Sequence, residues 1–158
     1  LLMKDILLNH LTAEDRKGTL LLMTADHGQI RTPAESTVVF ADHPELRDLL
    51  WLPPVGEGRA PFFHVRDGAY ERTFAYLEQH FGDQFAFLSR QQVLDAGLLG
   101  PGPVYSEIGS RLGDIVGIAT GDGAFARTAD DARRLPGRHG SLTPEEMLVP
   151  LFAMRLDA

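Results

Sequence analysis

The sequence predicts an α/β fold, with helices packed over a mostly parallel sheet and a smaller α+β segment inserted. Three observations carry that expectation. The apolar run Leu20 to Met23 has no polar alternation and is too short for a typical helix, so it reads as a strand buried on both faces. Ahead of it, Met3, Ile6, Leu7 and Leu11 recur at helical spacing. A helix leading into such a strand is the second half of a βαβ crossover. Farther on, residues 61 to 97 alternate strand-like and helix-like patterns twice.

The 158 residues suit one domain, 1–158, large enough to bury a real core. With 44% hydrophobic and 23% charged residues, the composition is that of an ordinary globular protein. A net charge of −7 argues against a nucleic-acid groove, but not against an anionic substrate where divalent ions reverse the local sign. The sequence has no cysteine, so any zinc held here must use histidine and carboxylate. No apolar run approaches the ~20 residues of a membrane span.

Taken in order, Thr12 caps a short turn carrying Glu14 and Asp15, which Arg16, Lys17 and Gly18 end. The strand from Thr19 ends at Asp26-His27-Gly28. Gln29 to Ser36, broken by Pro33, is a loop; Arg31 or Thr32 would approach a substrate phosphate from it, although solvated loop residues are the plainer reading. Thr37 to Phe40 is a short strand. Asp42-His43 repeats the Asp-His pair, but Pro44 places those residues at the N-cap of a helix running to Leu50, and they are not assigned to a metal. Leu52 to Pro61 is a Pro- and Gly-rich loop, holding Glu57 and Arg59, that Trp51 anchors to the core.

Pro61 to Arg66 reads as a strand with His64 packed within it, turned at Asp67-Gly68. Tyr70 to Phe81 is an amphipathic helix with Phe74, Leu77 and Phe81 on one stripe, closed by Gly82. Phe85 to Leu88 is a strand, and Ser89 caps a helix through Ala96 with Gly97 as its stop. Residues 43–110 make up the α+β insert, a kind of segment that shapes a substrate pocket. Leu98 to Gly113 is irregular. Ile115 to Ala119 is a strand, and the hairpin turn Thr120 to Gly123 returns into Phe125 to Arg127 as its partner. Thr128 to Arg138 is a surface loop with Arg133, Arg134 and Arg138 solvated. Thr143-Pro144-Glu145-Glu146 is a capping box, and Leu148 to Leu156 is a final strand joining the main sheet.

In open α/β sheets, chemistry gathers just past the carboxyl ends of the strands, where Asp26 and His27 fall. A carboxylate beside an imidazole is half of a zinc or manganese site. The same residues also suit a plain turn, with Asp26 capping and Gly28 at positive φ. A second His-Gly lies in Gly137 to Pro150, GRHGSLTPEEMLVP, at His139 and Gly140.

The strand running into Ala25-Asp26-His27-Gly28, and the later His139-Gly140-Ser141 leading through Thr143-Pro144-Glu145-Glu146 to an apolar strand, together resemble the C-terminal part of the alkaline phosphatase superfamily. The nearest branch is the type I phosphodiesterase / nucleotide pyrophosphatase group. That resemblance implies the C-terminal part of a three-layer sandwich with a mostly parallel sheet. It also implies two divalent metal ions, zinc or manganese. Asp26 and His27 would serve the first and His139 the second. The implied reaction is hydrolysis of a phosphodiester, pyrophosphate or phosphomonoester, on a small phosphorylated substrate such as a nucleotide.

The family also needs a Thr or Ser nucleophile, an upstream Asp and an Asp-x-x-x-His pair, all ahead of the Asp-His-Gly strand. Eighteen residues precede Thr19, and they hold Asp5, His10 and Asp15 without that spacing. The expectation is therefore a C-terminal fragment, inactive alone, whose partner is the missing N-terminal half of the same enzyme. Two other readings stay open. One is a non-catalytic α/β interaction module. The other is a single-metal hydrolase in which Asp26, His27 and His139 converge on one ion, the ligand count of a catalytic zinc.

Overall fold

A computed structural model describes residues 4–5 and 7–157. The chain divides into two compact units, one of Leu1–His27 with Leu148–Ala158 and the other of Gly28–Met147.

In the terminal unit, the helix expected over residues 2–11 falls partly outside the described residues; Leu8–His10 is a 3-10 turn. Thr12 caps α1 (Ala13–Arg16) as expected. Its hydroxyl accepts from the Asp15 amide, and the Asp15 carboxylate accepts from the Thr12 amide at 2.9 Å. Gly18 then takes φ +67° and strand β1 (Leu20–Thr24) follows.

The larger unit runs through β2 (Ile30–Arg31), β3 (Thr37–Val39), α2 (Pro44–Leu49), β4 (Val55–Glu57), β5 (Ala60–Phe63) and α3 (Tyr70–Phe81). It continues with β6 (Phe85–Ser89), α4 (Arg90–Asp95), α5 (Ile108–Leu112), β7 (Ile115–Ala119) and β8 (Ala124–Ala126). It ends with α6 (Ala129–Arg134), β9 (Gly137–Arg138) and α7 (Pro144–Met147). Local chemistry explains many of these boundaries. Pro44 starts α2 at its first turn. Thr73, Leu77 and Phe81 recur every four residues and bury one stripe of α3. Ser89 and Gln92 form the capping box of α4.

Strands β4, β5, β7 and β6 form a four-stranded sheet in that order, every neighbour antiparallel. Helix α3 packs on it over a core of Phe63, Leu77, Phe81, Phe85 and Ile115. Phe125 sits at the centre of an aromatic cluster, edge-on to Phe63, Phe81 and Phe85 at centroid distances of 5.5, 5.2 and 5.2 Å.

The sheet expectation needs correction. The described sheets are small and mostly antiparallel, not one mostly parallel sheet. β3 and β8 make the parallel pair. β8 therefore does not return against β7 as a hairpin; Ala124, Phe125 and Ala126 are all buried, and that strand seats Phe125 in the core instead. Segments expected to be loops also pair or coil. β4 and β5 form a hairpin, Ile108–Leu112 and Ala129–Arg134 are helical, and β2 pairs with β9. Trp51 is exposed with the Arg66 guanidinium 4.7 Å above its ring, so it is not a core anchor.

The final strand, β10 (Leu151–Arg155), pairs antiparallel with β1, Leu20 opposite Arg155 and Thr24 opposite Leu151. Among the described residues the pair is a two-stranded ribbon, not part of a larger sheet. β1 is also not buried on both faces: Leu20 is 55% exposed and Leu22 58%, and across the ribbon Leu151 is 74% exposed.

Candidate functional site

Asp26 and His27 follow the carboxyl end of β1. The His27 amide donates to Asp26 Oδ1 at 3.1 Å, and His27 Nε2 lies 3.5 Å from Asp26 Oδ2. Gly28 does not take positive φ. Glycine is required there by close approach instead. A Cβ would fall on the carbonyl of Glu145, and the Gly28 amide donates to the Glu146 carbonyl at 2.7 Å.

His139 follows β9, which β2 holds in register through Ile30–Arg138 and Arg31–Gly137. Gly140 then turns the chain at φ +112°, and a Cβ there would lie 2.6 Å from Cβ of Glu57. Ser141 is buried; its hydroxyl donates to the Ala119 carbonyl at 2.6 Å and its amide donates to Glu146 Oε1 at 3.0 Å. The loop that carries His139 is thus bound to the sheet on one side and to α7 on the other.

Glu146 is the hub of this arrangement. Arg59 donates to its carboxylate through Nε at 2.7 Å and Nη2 at 2.8 Å, a bidentate pair with side chains 0% and 1% exposed. Arg59 Nη1 donates to the Gly123 carbonyl at 2.7 Å, and Thr143 Oγ1 donates to Glu146 Oε2 at 2.7 Å. Burial opposes ionisation of Glu146, but the hydrogen bonds from Arg59, Thr143 and the Ser141 amide, with the Arg59 charge, hold its carboxyl below the ordinary value. Sequence reasoning missed this pair. Glu146 was read only as a capping residue, and Arg59 only as part of a loop.

The other candidates divide. Arg31, Arg133 and Arg134 are exposed, whereas Thr32 is buried, with its amide donating to the Pro136 carbonyl at 2.8 Å. Arg138 is not solvated: it is half-buried, donates through Nη2 to the Asp131 carbonyl at 2.8 Å, and burial lowers its pKa against the raising charges of Asp131 and Glu57. It lines a cavity of about 480 Å³ with Glu57, Phe125, Arg127, Asp131 and Leu135. His43 is the N-cap residue of α2, its Nδ1 3.0 Å from Tyr76 Oη.

Asp26 and His27 belong to one compact unit and His139 to the other. Among the described residues, no group of three or more His, Cys, Asp or Glu side chains is arranged to hold a metal ion. An Asp and two His are chemically suited to zinc, yet this chain's described residues do not by themselves make a complete metal site.

No family model matches the chain, and no curated protein matches it by sequence. Solved structures do match by shape. Human ectonucleotide pyrophosphatase / phosphodiesterase 5 superposes on 96% of this chain with a TM-score of 0.66 and 15% identity. An inactive form of the murine enzyme in complex with AMP superposes on 85% with a TM-score of 0.60 and 15% identity. Phosphonoacetate hydrolase from Sinorhizobium meliloti, in complex with phosphonoformate, superposes on 89% with a TM-score of 0.56 and 20% identity. The chain's mixed α/β fold resembles part of the alkaline-phosphatase-like fold of these structures. The chain spans 37% of the human structure's length, 33% of the murine and 37% of the bacterial. No helix among the described residues is long and apolar enough to cross a membrane.

Proposed function

We propose that this chain is the C-terminal portion of a metal-dependent phosphoric ester or diester hydrolase of the phosphodiesterase / nucleotide pyrophosphatase kind. Asp26 and His27 serve one divalent ion and His139 a second, and a Thr or Ser nucleophile and the remaining ligands come from outside this sequence. The observation that carries the reading is the fold match over 96% of this chain and only 37% of its counterpart, joined to an Asp-His pair at the end of β1. The exposed ribbon supports it, since Leu20, Leu22, Leu151 and Phe152 present apolar surface that further strands and helices of such a fold would cover.

Divalent ions bound there would supply charge to the oxygens of an in-line phosphoryl displacement. This chain's own residues supply a carboxylate at Asp26 and imidazole nitrogens at His27 and His139. Imidazole ligates only when deprotonated, so function falls in acid. The murine relative's complex with AMP favours a small phosphorylated substrate of nucleotide type.

The test is hydrolysis of bis(4-nitrophenyl) phosphate with zinc or manganese, run on this chain and on the uncut gene product. The expected result is no turnover by the chain and metal-dependent turnover by the longer product, abolished by His139→Ala. Turnover by the chain alone, lost in His139→Ala, would overturn the proposal in favour of a site complete within these 158 residues.

A further inference from the structure

Within the Gly28–Met147 unit, Glu146 holds both Gly28 and the loop after His139, through two different groups. Its backbone carbonyl accepts from Gly28, the residue after His27, at 2.7 Å. Its carboxylate accepts from the Ser141 amide, two residues after His139, at 3.0 Å. Each contact lies at or beside a position where a Cβ does not fit: one on Gly28 would collide with the Glu145 carbonyl, and one on Gly140, next to Ser141, with the Glu57 side chain. The carboxylate is itself held from the far side by Arg59, which reaches in from the β4–β5 turn and is anchored again on the Gly123 carbonyl.

We infer that Glu146, locked by Arg59, is a positioning residue that fixes the His139-Gly140-Ser141 segment, and with it the Gly28 peptide, within the Gly28–Met147 unit. The inference rests on the functional reading above. It adds that a buried ion pair in the body of this unit controls how the loop carrying His139 is held. The effect of Glu146 passes through the Gly28 and Ser141 peptides. Residues of this kind, which orient ligands without binding the ion, change metal affinity by about 10–100-fold when replaced.

A single substitution that strands the Arg59 charge threatens folding. The informative variant is therefore the paired Arg59→Met/Glu146→Leu, which replaces the pair by apolar side chains of similar size. Amide hydrogen exchange is measured by NMR on this chain at Gly28, at Ser141 and at Asp114. The Asp114 amide donates to the Phe63 carbonyl at 2.8 Å in the antiparallel sheet and serves as reference.

The expected result is that Gly28 and Ser141 each exchange at least tenfold faster while Asp114 is unchanged. Faster exchange at Ser141 alone, no change at either, or a rise at Asp114 with the others overturns the inference; the last outcome marks the pair as purely structural. The uncut gene product adds a functional arm. There the zinc concentration for half-maximal hydrolysis should rise at least tenfold in the paired variant. If the wild-type product shows no metal-dependent hydrolysis, the functional reading fails while the exchange result stands. If it does, and the paired variant keeps its zinc requirement within twofold, the positioning role fails.

Discussion

Replacing Glu146 by alanine should destabilise the Gly28–Met147 unit by about 3–5 kcal/mol, the range for removing one partner of a buried ion pair. The geometry places the value there. Arg59 is 0% exposed, and two of its three guanidinium hydrogen bonds go to Glu146, leaving only the Gly123 carbonyl. The Ser141 amide loses its acceptor as well, and a buried donor left unsatisfied costs about 1–3 kcal/mol. These losses overlap and do not sum, because the partners belong to one network. Urea unfolding followed by circular dichroism reads the effect. At a slope of about 2 kcal/mol per molar, a loss of about 4 kcal/mol lowers the midpoint by about 2 M. Arg59→Met/Glu146→Leu should lose less, about 1–3 kcal/mol, since the matched apolar pair buries no orphan charge while the Ser141 amide still lacks its acceptor. A loss below about 1 kcal/mol in Glu146→Ala, or an equal loss in both variants, would refute the reasoning.

Three further outcomes follow from individual positions. Gly140→Ala combines a positive φ of +112° with a Cβ 2.6 Å from Glu57 Cβ, so it should cost about 1–3 kcal/mol in the same urea experiment, where Gly121→Ala, which meets nothing within 4 Å, should leave the midpoint nearly unchanged. Glu146 is held below its ordinary value in the fold, so its contribution is complete above about pH 4.3 and is lost as pH falls through the folded value; melting temperature against pH in the wild type and in the paired variant should diverge at neutral pH and converge in acid. His43 is lowered first by burial, then by His80, against a raising effect from Asp42, while Tyr76 and Phe81 pack on its ring. The folded state therefore favours its neutral form. The stability this gives is present above about pH 6.5 and declines as pH falls through that value, and His43→Gln should flatten the melting profile between pH 7 and 5.

Elements whose cause is local were legible in the sequence. Helix α3 announces itself through Phe74, Leu77 and Phe81, and α4 through the Ser89 and Gln92 box, because these contacts span only a few residues. The signals of helix α6 are equally local: Thr128 caps it, Asp130 and Asp131 fill its first turn, and Arg133 and Arg134 its last. Strand partners are a different matter. The apolar run of β1 is compatible with any buried pairing, and nothing within Leu20 to Met23 specifies an antiparallel partner at Leu151–Arg155. Phe125 reads equally well in a hairpin with β7 or beside β3, and only the aromatic cluster around it decides. At the site, the Asp-His and His-Gly motifs were visible as strings. The Arg59–Glu146 pair that accepts from Gly28 and Ser141 was not, because its members lie 87 positions apart and carry no spacing signal.

The assignment of Asp26 and His27 to one ion and His139 to another is tested most directly by titrating zinc into this chain and reading heat by calorimetry. With at most two protein donors per ion, binding should be weaker than about 1 μM, which corresponds to about −8 kcal/mol. A stoichiometric site tighter than that, lost equally in Asp26→Ala, His27→Ala and His139→Ala, would contradict the assignment and place all three residues on a single ion.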